Sequence, residues 1–488
     1  MADPDVTTAP PPGTVQAEPA APDAGGTLLD RTLGNLRSVW RDIASSARET
    51  VVALRAGRDE DRWREQMQAC LEGRGGEVSA RARAAELGRT YLGLDTEGRR
   101  RFLILLAGDF DVDRAAVDRA VEVFHKAQDP VARGRAERAL RHVLEPGRVR
   151  LLTQFNGLPE GVKFLVDLRA ELIRAGTEEP LLAALEADLK SLLRGWFDVG
   201  FLELRRITWD SPASLLEKLV QYEAVHAFRG WEDLKDRLDR DRRCFGFFHP
   251  RMPDEPLIFV EVALVEGISA SVQALLDEGA PALDPGSADT AVFYSISNCQ
   301  PGLAGISFGN FLIKRVVDLL QAELPNVKTF ATLSPIPGFR RWLDAELARD
   351  GDGLLAPAEA ERLREVVPVT ERPMLAELLS RRDWHGDGSV EAVARPVLMR
   401  LCAQYLVNGR QGKRALDPVA HFHLTNGARV ERLNWMADRS GKGLTQSAGM
   451  MVNYAYRLGN IDSNHESYTG DGKVIASSGI RALLKSPT

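Results

Sequence analysis

The chain has 488 residues, 44% hydrophobic and 27% charged, with a formal net charge of −6 at neutral pH. That is more than one ordinary domain, with the balance of a folded globular protein. No basic run interleaved with aromatics occurs, which argues against a nucleic-acid partner, and no apolar stretch approaches membrane-spanning length. The mild acidity leaves an anionic ligand open, because phosphate binding depends on local amides and helix ends more than on net charge.

Residues 1–28 are rich in Pro, Ala and acidic residues and show neither the apolar core of a signal peptide nor the arginine-rich character of a transit peptide. They are expected to be a disordered tail. From residue 29 to 196 the pattern is helical: Leu29, Leu33, Leu36, Trp40, Ile43 and Ala47 recur at three- and four-residue steps. Further helices are predicted over 62–71, 78–91, 99–106, 115–126 and 180–193, punctuated at Gly73-Arg74-Gly75-Gly76, Asp129-Pro130 and Glu145-Pro146-Gly147. A packed all-α helical bundle is the reading. Asp109, Asp111 and Asp113 imitate the first ligands of a calcium loop, but Arg114 stands where that loop needs Gly and Ala120 where it needs Glu. Acidic residues at a helix start are the better account. His125 and His142 lack metal partners. Cys70, Cys244, Cys299 and Cys402 are far apart and lack zinc-site pairing, so reduced thiols in a cytosolic protein are expected.

Beyond Phe197 strands alternate with helices, and 197–488 is read as a second domain. Residues 244–248 and 257–264 suggest an antiparallel pair, and 269–276 a helix. Then come a strand over 290–296, a helix over 310–324 and a strand over 327–333, a βαβ unit. Its turn, Gln300 to Asn310, offers glycines and amides at a helix start, a setting for a pyrophosphate. Many βα turns contain glycine, so this signal is weak alone.

The strand at 327–333 runs into Ser334-Pro335-Ile336-Pro337-Gly338-Phe339. Two prolines end sheet pairing directly after Ser334 and stiffen its backbone. A structural connector and a functional serine are equally open on this segment alone. Helices are predicted over 357–367, 373–382 and 390–406, with no chemistry in them. His421-Phe422-His423-Leu424-Thr425 alternates polar and apolar ahead of Asn426-Gly427, and reads as a strand, a turn and a second strand over 430–435. Tyr454 and Tyr456 are read as helical, facing different ways, with only one expected to reach a site.

The Ser334 phrase, together with Phe422-His423-Leu424-Thr425-Asn426-Gly427-Ala428, Asn434-Trp435-Met436-Ala437-Asp438 and Met451-Val452-Asn453-Tyr454-Ala455-Tyr456, resembles the malonyl-CoA decarboxylase family, in order, from about Arg206 to Tyr456. The resemblance implies a catalytic domain of the GNAT (acetyltransferase) type behind a helical domain that mediates assembly, as a tetramer. It implies Ser334 and His423 as a catalytic pair acting on malonyl-CoA to give acetyl-CoA, with His423 the partner able to exchange a proton near neutral pH. His421, by strand alternation, should face away. Ala304, Gly305, Ile306, Ser307, Phe308, Gly309 and Asn310 would hold the pyrophosphate, and the strand edge from Phe293 to Ser295 would pair with the pantetheine amides. Ser295, Asn453 and Tyr456 are candidates for the malonyl end. Members of the family carry Glu where this chain has Ser307. No metal or cofactor is expected, since the thioester itself accepts the electron pair, and no membrane partner. Some relatives end in a peroxisomal Ser-Lys-Leu signal; the end here, Lys485-Ser486-Pro487-Thr488, gives that location no support, and the cytoplasm is expected. An acyl-CoA N-acyltransferase and a non-catalytic malonyl-CoA sensor stay open as alternatives.

Overall fold

The structure is a computed structural model that describes residues 40, 41, 43, 59–72, 76–176, 179–306, 312–368, 370–381 and 383–485. The tail, most of the helix predicted from Leu29, and the break at Gly73-Arg74-Gly75 lie outside these residues. A helical region is followed by a mixed α/β region. By packing, the chain divides into two compact units, one ending at Gly161 and the other beginning at Val162.

The first unit contains helices Asp59–Glu72, Gly76–Gly93, Thr96–Asp109, Arg114–Lys126, Pro130–Val143 and Gly147–Phe155. The helices predicted over 62–71, 78–91, 99–106 and 115–126 are present. Asp95, Asp113 and Asp129 cap three of them by accepting backbone N–H bonds in the first turn, a capping role worth about 1 kcal/mol each. Trp40, Trp63, Met67, Tyr91, Phe102 and Phe155 are buried and form its core. The Arg114–Lys126 helix is different, since it buries no residue.

The second unit starts with helices Gly161–Ala175 and Pro180–Trp196. Its main sheet has strands β1 (Glu203–Ile207), β2 (Arg242–His249), β3 (Met252–Val265), β4 (Thr290–Asn298), β5 (Thr329–Thr332), β6 (Ser334–Pro335), β9 (Arg429–Asn434) and β10 (Met451–Ala455); β7 (Arg410–Gln411) and β8 (Arg414–Ala415) form a separate hairpin. The order is β1-β2-β3-β4-β5-β10-β6, with β9 also on β10. Strands β2 and β3 are the predicted antiparallel pair, and β4 and β5 the predicted parallel pair joined through helix Leu312–Glu323. Continuous burial of β2, and of all but the start and end of β3, reflects layers on both faces, which is why these strands read as unbroken apolar runs.

Two local predictions fail. Residues 418–425 form a helix, Pro418–Thr425, instead of a strand. Asp417 caps it and Pro418 is its first residue, a start that a fixed φ favours. Gly427, with φ +79°, then turns the chain after the helix, and Ala428 N–H bonds back to His423 O. Residues 451–455 are strand β10 instead of helix.

Candidate active site

Strand β5 pairs with β4 only from Thr290 to Phe293, while β4 continues to Asn298. The two strands part beyond that point. Strand β10 takes over on the far side, meeting β5 at Ala455↔Ala331 and β6 at Val452↔Ser334. Ser334 is thereby held, buried, in a two-residue strand whose pairing runs through Pro335↔Met451, one residue further than expected, before the ladder stops.

Five side chains meet there. Ser334 Oγ lies 3.1 Å from His423 Nε2 and donates to Thr332 Oγ1 at 2.8 Å. His423 Nδ1 is 2.8 Å from the Tyr456 hydroxyl. The His423 ring stacks on Tyr454 with centroids 4.6 Å apart. Thr332 Oγ1 also accepts from the Tyr454 amide at 3.0 Å, so the serine's partner is itself fixed to β10. Both tyrosines reach His423 because residues two apart in a strand share a face, which corrects the expectation that only one would.

Burial pushes His423 down to about 3. It is therefore neutral across the physiological range, and the expected exchange of a proton near neutral pH does not hold for the unliganded site. Burial also raises Tyr456 well above the ordinary tyrosine value. His421 lies on the same helix but is half-buried, with Nδ1 2.8 Å from the Tyr468 hydroxyl. It does face away from His423, although for a helical reason: two steps of 100° turn the side chain by about 200°.

A cavity of about 230 Å³ opens onto this cluster, lined by Ser334, His423, Phe293, Ile296, Val419 and Phe422 among others. It is smaller than the pockets of roughly 300 Å³ and more that hold whole drug-sized ligands, and it suits a short acyl end. The lining described contains no lysine or arginine.

The other predicted residues divide. Ser295 gives its hydroxyl to the Glu223 carboxylate, 2.8 and 2.9 Å from the two oxygens. Asn453 is fully committed: Oδ1 accepts from Arg432 and Asn434, and Nδ2 donates to Thr332 O and Ser269 O, tying β5, β9 and β10 together. In the glycine turn, Ala304, Gly305 and Ile306 follow a short 3-10 turn, while Ser307, Phe308, Gly309 and Asn310 lie outside the described residues. No local pattern pointed to what anchors that turn. Arg169, from helix Gly161–Ala175, donates to Gly302 O at 2.6 Å and Ala304 O at 2.8 Å, and pairs with Glu186 at 2.7 Å. Thr332 was also missed, although its position two residues before Ser334 in an extended segment was a usable signal.

The profile of the malonyl-CoA decarboxylase C-terminal domain matches residues 200–488, and that of the N-terminal domain residues 110–197. A malonyl-CoA decarboxylase of Anser anser anser, named as mitochondrial, is 40% identical over 83% of this chain and 84% of its own length. The corresponding protein of Rattus norvegicus is 39% identical over 83% of this chain and 86% of its own. Among solved structures, malonyl-CoA decarboxylase from Rhodopseudomonas palustris superposes with a TM-score of 0.80 at 42% identity, covering 87% of this chain and all of that one. The Agrobacterium vitis protein gives 0.76 at 40% identity, again over 87% of this chain and all of the other.

Proposed function

Because the chain belongs to the malonyl-CoA decarboxylase family, a family of carboxy-lyases, we propose that it converts malonyl-CoA to acetyl-CoA and carbon dioxide through Ser334 and His423. The observation that carries the reading is the 3.1 Å approach of Ser334 Oγ to His423 Nε2 on the wall of an apolar cavity. Proton positions follow from burial. Tyr456 keeps its phenolic proton, and donating it to His423 Nδ1 satisfies that hydroxyl. Nε2 then carries the imidazole proton and donates to Ser334 Oγ, which makes the serine O–H a stronger donor.

With the thioester bound, the Ser334 O–H swings from Thr332 Oγ1 to the thioester oxygen. The bond from C2 to the carboxylate carbon breaks, its electron pair passes into the enolate, and carbon dioxide leaves as a neutral molecule. An oxyanion donor of this kind typically supplies about 3 to 4 kcal/mol. The cavity helps from the other side: a carboxylate among Phe293, Ile296, Val419 and Phe422 loses hydration without gaining a cation, whereas carbon dioxide has no charge to solvate. The Ser334 proton then passes to C2, His423 Nε2–H holds the resulting alkoxide, and a proton taken up from solvent restores the serine, so that one proton is consumed for each carbon dioxide released.

The CoA portion is read along the free edge of β4 beyond Phe293 and at the turn held by Arg169, with its pyrophosphate at 304–310. We assign assembly, as a homotetramer, to the helical region; the exposed Val123 and Val131 on two helices that pack together, the first of which buries nothing, support this. Four buried free thiols suit a reducing compartment, and we assign the cytoplasm. The test is turnover of malonyl-CoA by the purified chain. Acetyl-CoA should form without added cofactor, with Ser334→Ala and His423→Asn each nearly inactive; full activity of either variant overturns the reading.

A further inference from the structure

Ser334 and His423 are 89 residues apart in the chain, and the backbone that carries each meets the other at one carboxylate. Asp417 is 1% exposed. Its Oδ1 accepts from Val419 N–H at 3.0 Å and Ala420 N–H at 2.9 Å, the first turn of the His423 helix. Its Oδ2 accepts from Gly338 N–H at 3.2 Å and from the Tyr405 hydroxyl at 3.4 Å. Gly338 closes the Ser334-Pro335-Ile336-Pro337 turn. The approach is tight, since a Cβ at Gly338 would lie 2.1 Å from the Tyr405 hydroxyl oxygen, so a larger residue here would push Tyr405 away from the carboxylate.

A helix cap alone does not require an aspartate here. Serine or threonine satisfies the same first-turn amides, and burying an ionised carboxylate is costly. Burial indeed raises the pKa of Asp417 above the ordinary aspartate value, against the opposing pull of its hydrogen bonds. Among the described residues no cation stands within ion-pair distance of it. What the carboxylate adds is a second oxygen, directed at the serine turn. Four donors and the positive end of the helix hold it in place.

We propose that Asp417 is a positioning residue that sets the distance between Ser334 and His423 by gripping the serine turn and the histidine helix together. It rests on the Ser334 and His423 reading given above. With Asp417→Asn the cap oxygen survives, but an amide N–H₂ meets the Gly338 N–H, so the turn is released while the helix is kept. Asp417→Ser likewise keeps the cap and loses the bridge.

Turnover number and KM for malonyl-CoA are measured for both variants, alone and in a Ser334→Ala background, with melting curves. In the parent background kcat should fall by about tenfold or more, the scale of an ångström-level misplacement, with KM within about twofold. In the Ser334→Ala background neither variant should lower the residual rate further. Loss of melting temperature with kcat retained, or the same fractional loss of rate in both backgrounds, overturns the proposal. If Ser334→Ala itself stays active, the catalytic reading fails instead, which keeps the two failures apart. Should the Asp417 variants not fold, Tyr405→Phe removes one donor from Oδ2 and leaves the cap intact. A fall in kcat at constant KM supports the bridge, and unchanged kcat overturns it.

Discussion

Two polar clusters in this molecule are built from opposite materials. In the helical unit, Asp109, Asp111 and Asp113 follow the spacing of a calcium loop, yet each is satisfied separately: Asp109 by Arg64 at 2.7 Å, Asp111 by Arg148 at 2.8 Å, and Asp113 by the Ala116 amide it caps. Around His423 the groups are neutral, come from β5, β6, the end of β10 and one helix, and two of them, Ser334 and His423, open onto one cavity. Charges near a surface find counter-charges locally and contribute stability of order 1 kcal/mol or less. Around His423 the hydrogen bonds run in a chain from Thr332 through Ser334 and His423 to Tyr456, while the Tyr454 hydroxyl is buried without a partner among the described residues. Convergence from distant parts of the chain is the better mark of a site than spacing along it.

The contrast breaks most visibly in kinetics. Ser334→Ala and His423→Asn should each lower kcat by about a hundredfold or more, and the double variant should lose far less than the product of the two losses. His421→Asn should stay near parental activity; a loss equal to that of His423→Asn would mean that the helix, and not the site, was damaged. In the helical unit the expected loss is of stability. Arg148 is buried and bonds both Asp111 and the Ala107 carbonyl, so Arg148→Met should cost about 1–3 kcal/mol in denaturant unfolding and leave kcat unchanged.

Acid sharpens the comparison further. His423 has its ordinary value of 6.5 lowered to about 3 by burial, so between those values the unfolded chain binds the additional proton. Its contribution is present above pH 6.5 and is lost as pH falls toward 3. Asp111, where the Val112 amide and Arg148 outweigh burial and hold the carboxyl below 3.8, matters only when pH falls below that value. Melting curves from pH 7 to 4 should therefore fall less steeply for His423→Asn than for the parent, while Asp111→Asn should keep the parental slope. An unaltered slope in His423→Asn would mean that this histidine is not held neutral. The smallest effect is expected from calcium: with three carboxylates already engaged, millimolar calcium should leave the melting temperature where it was, and a rise of several degrees would reinstate the loop.

Local chemistry made much of this protein legible. The helices of the first unit, the β2–β3 pair and the β4–helix–β5 crossover were written in periodicities of 3.6 and 2, which survive packing because burial acts on whole faces. The end of the strand near Ser334 was legible because proline removes an amide wherever it stands, whereas the proposed role of Ser334 came from the family resemblance. The helix at 418–425 was misread because eight residues are too few to separate the two periods, and because Asn-Gly serves a helix end as readily as a hairpin. The deciding signal was Asp417-Pro418, a cap followed by a first-turn proline. No sequence pattern could bring Tyr456 to His423, Arg169 to Gly302 or Asp417 to Gly338. Those meetings depend on β10 pairing with both β5 and β6 and on helices laid across the sheet, and such long-range register is fixed only when the core closes around it.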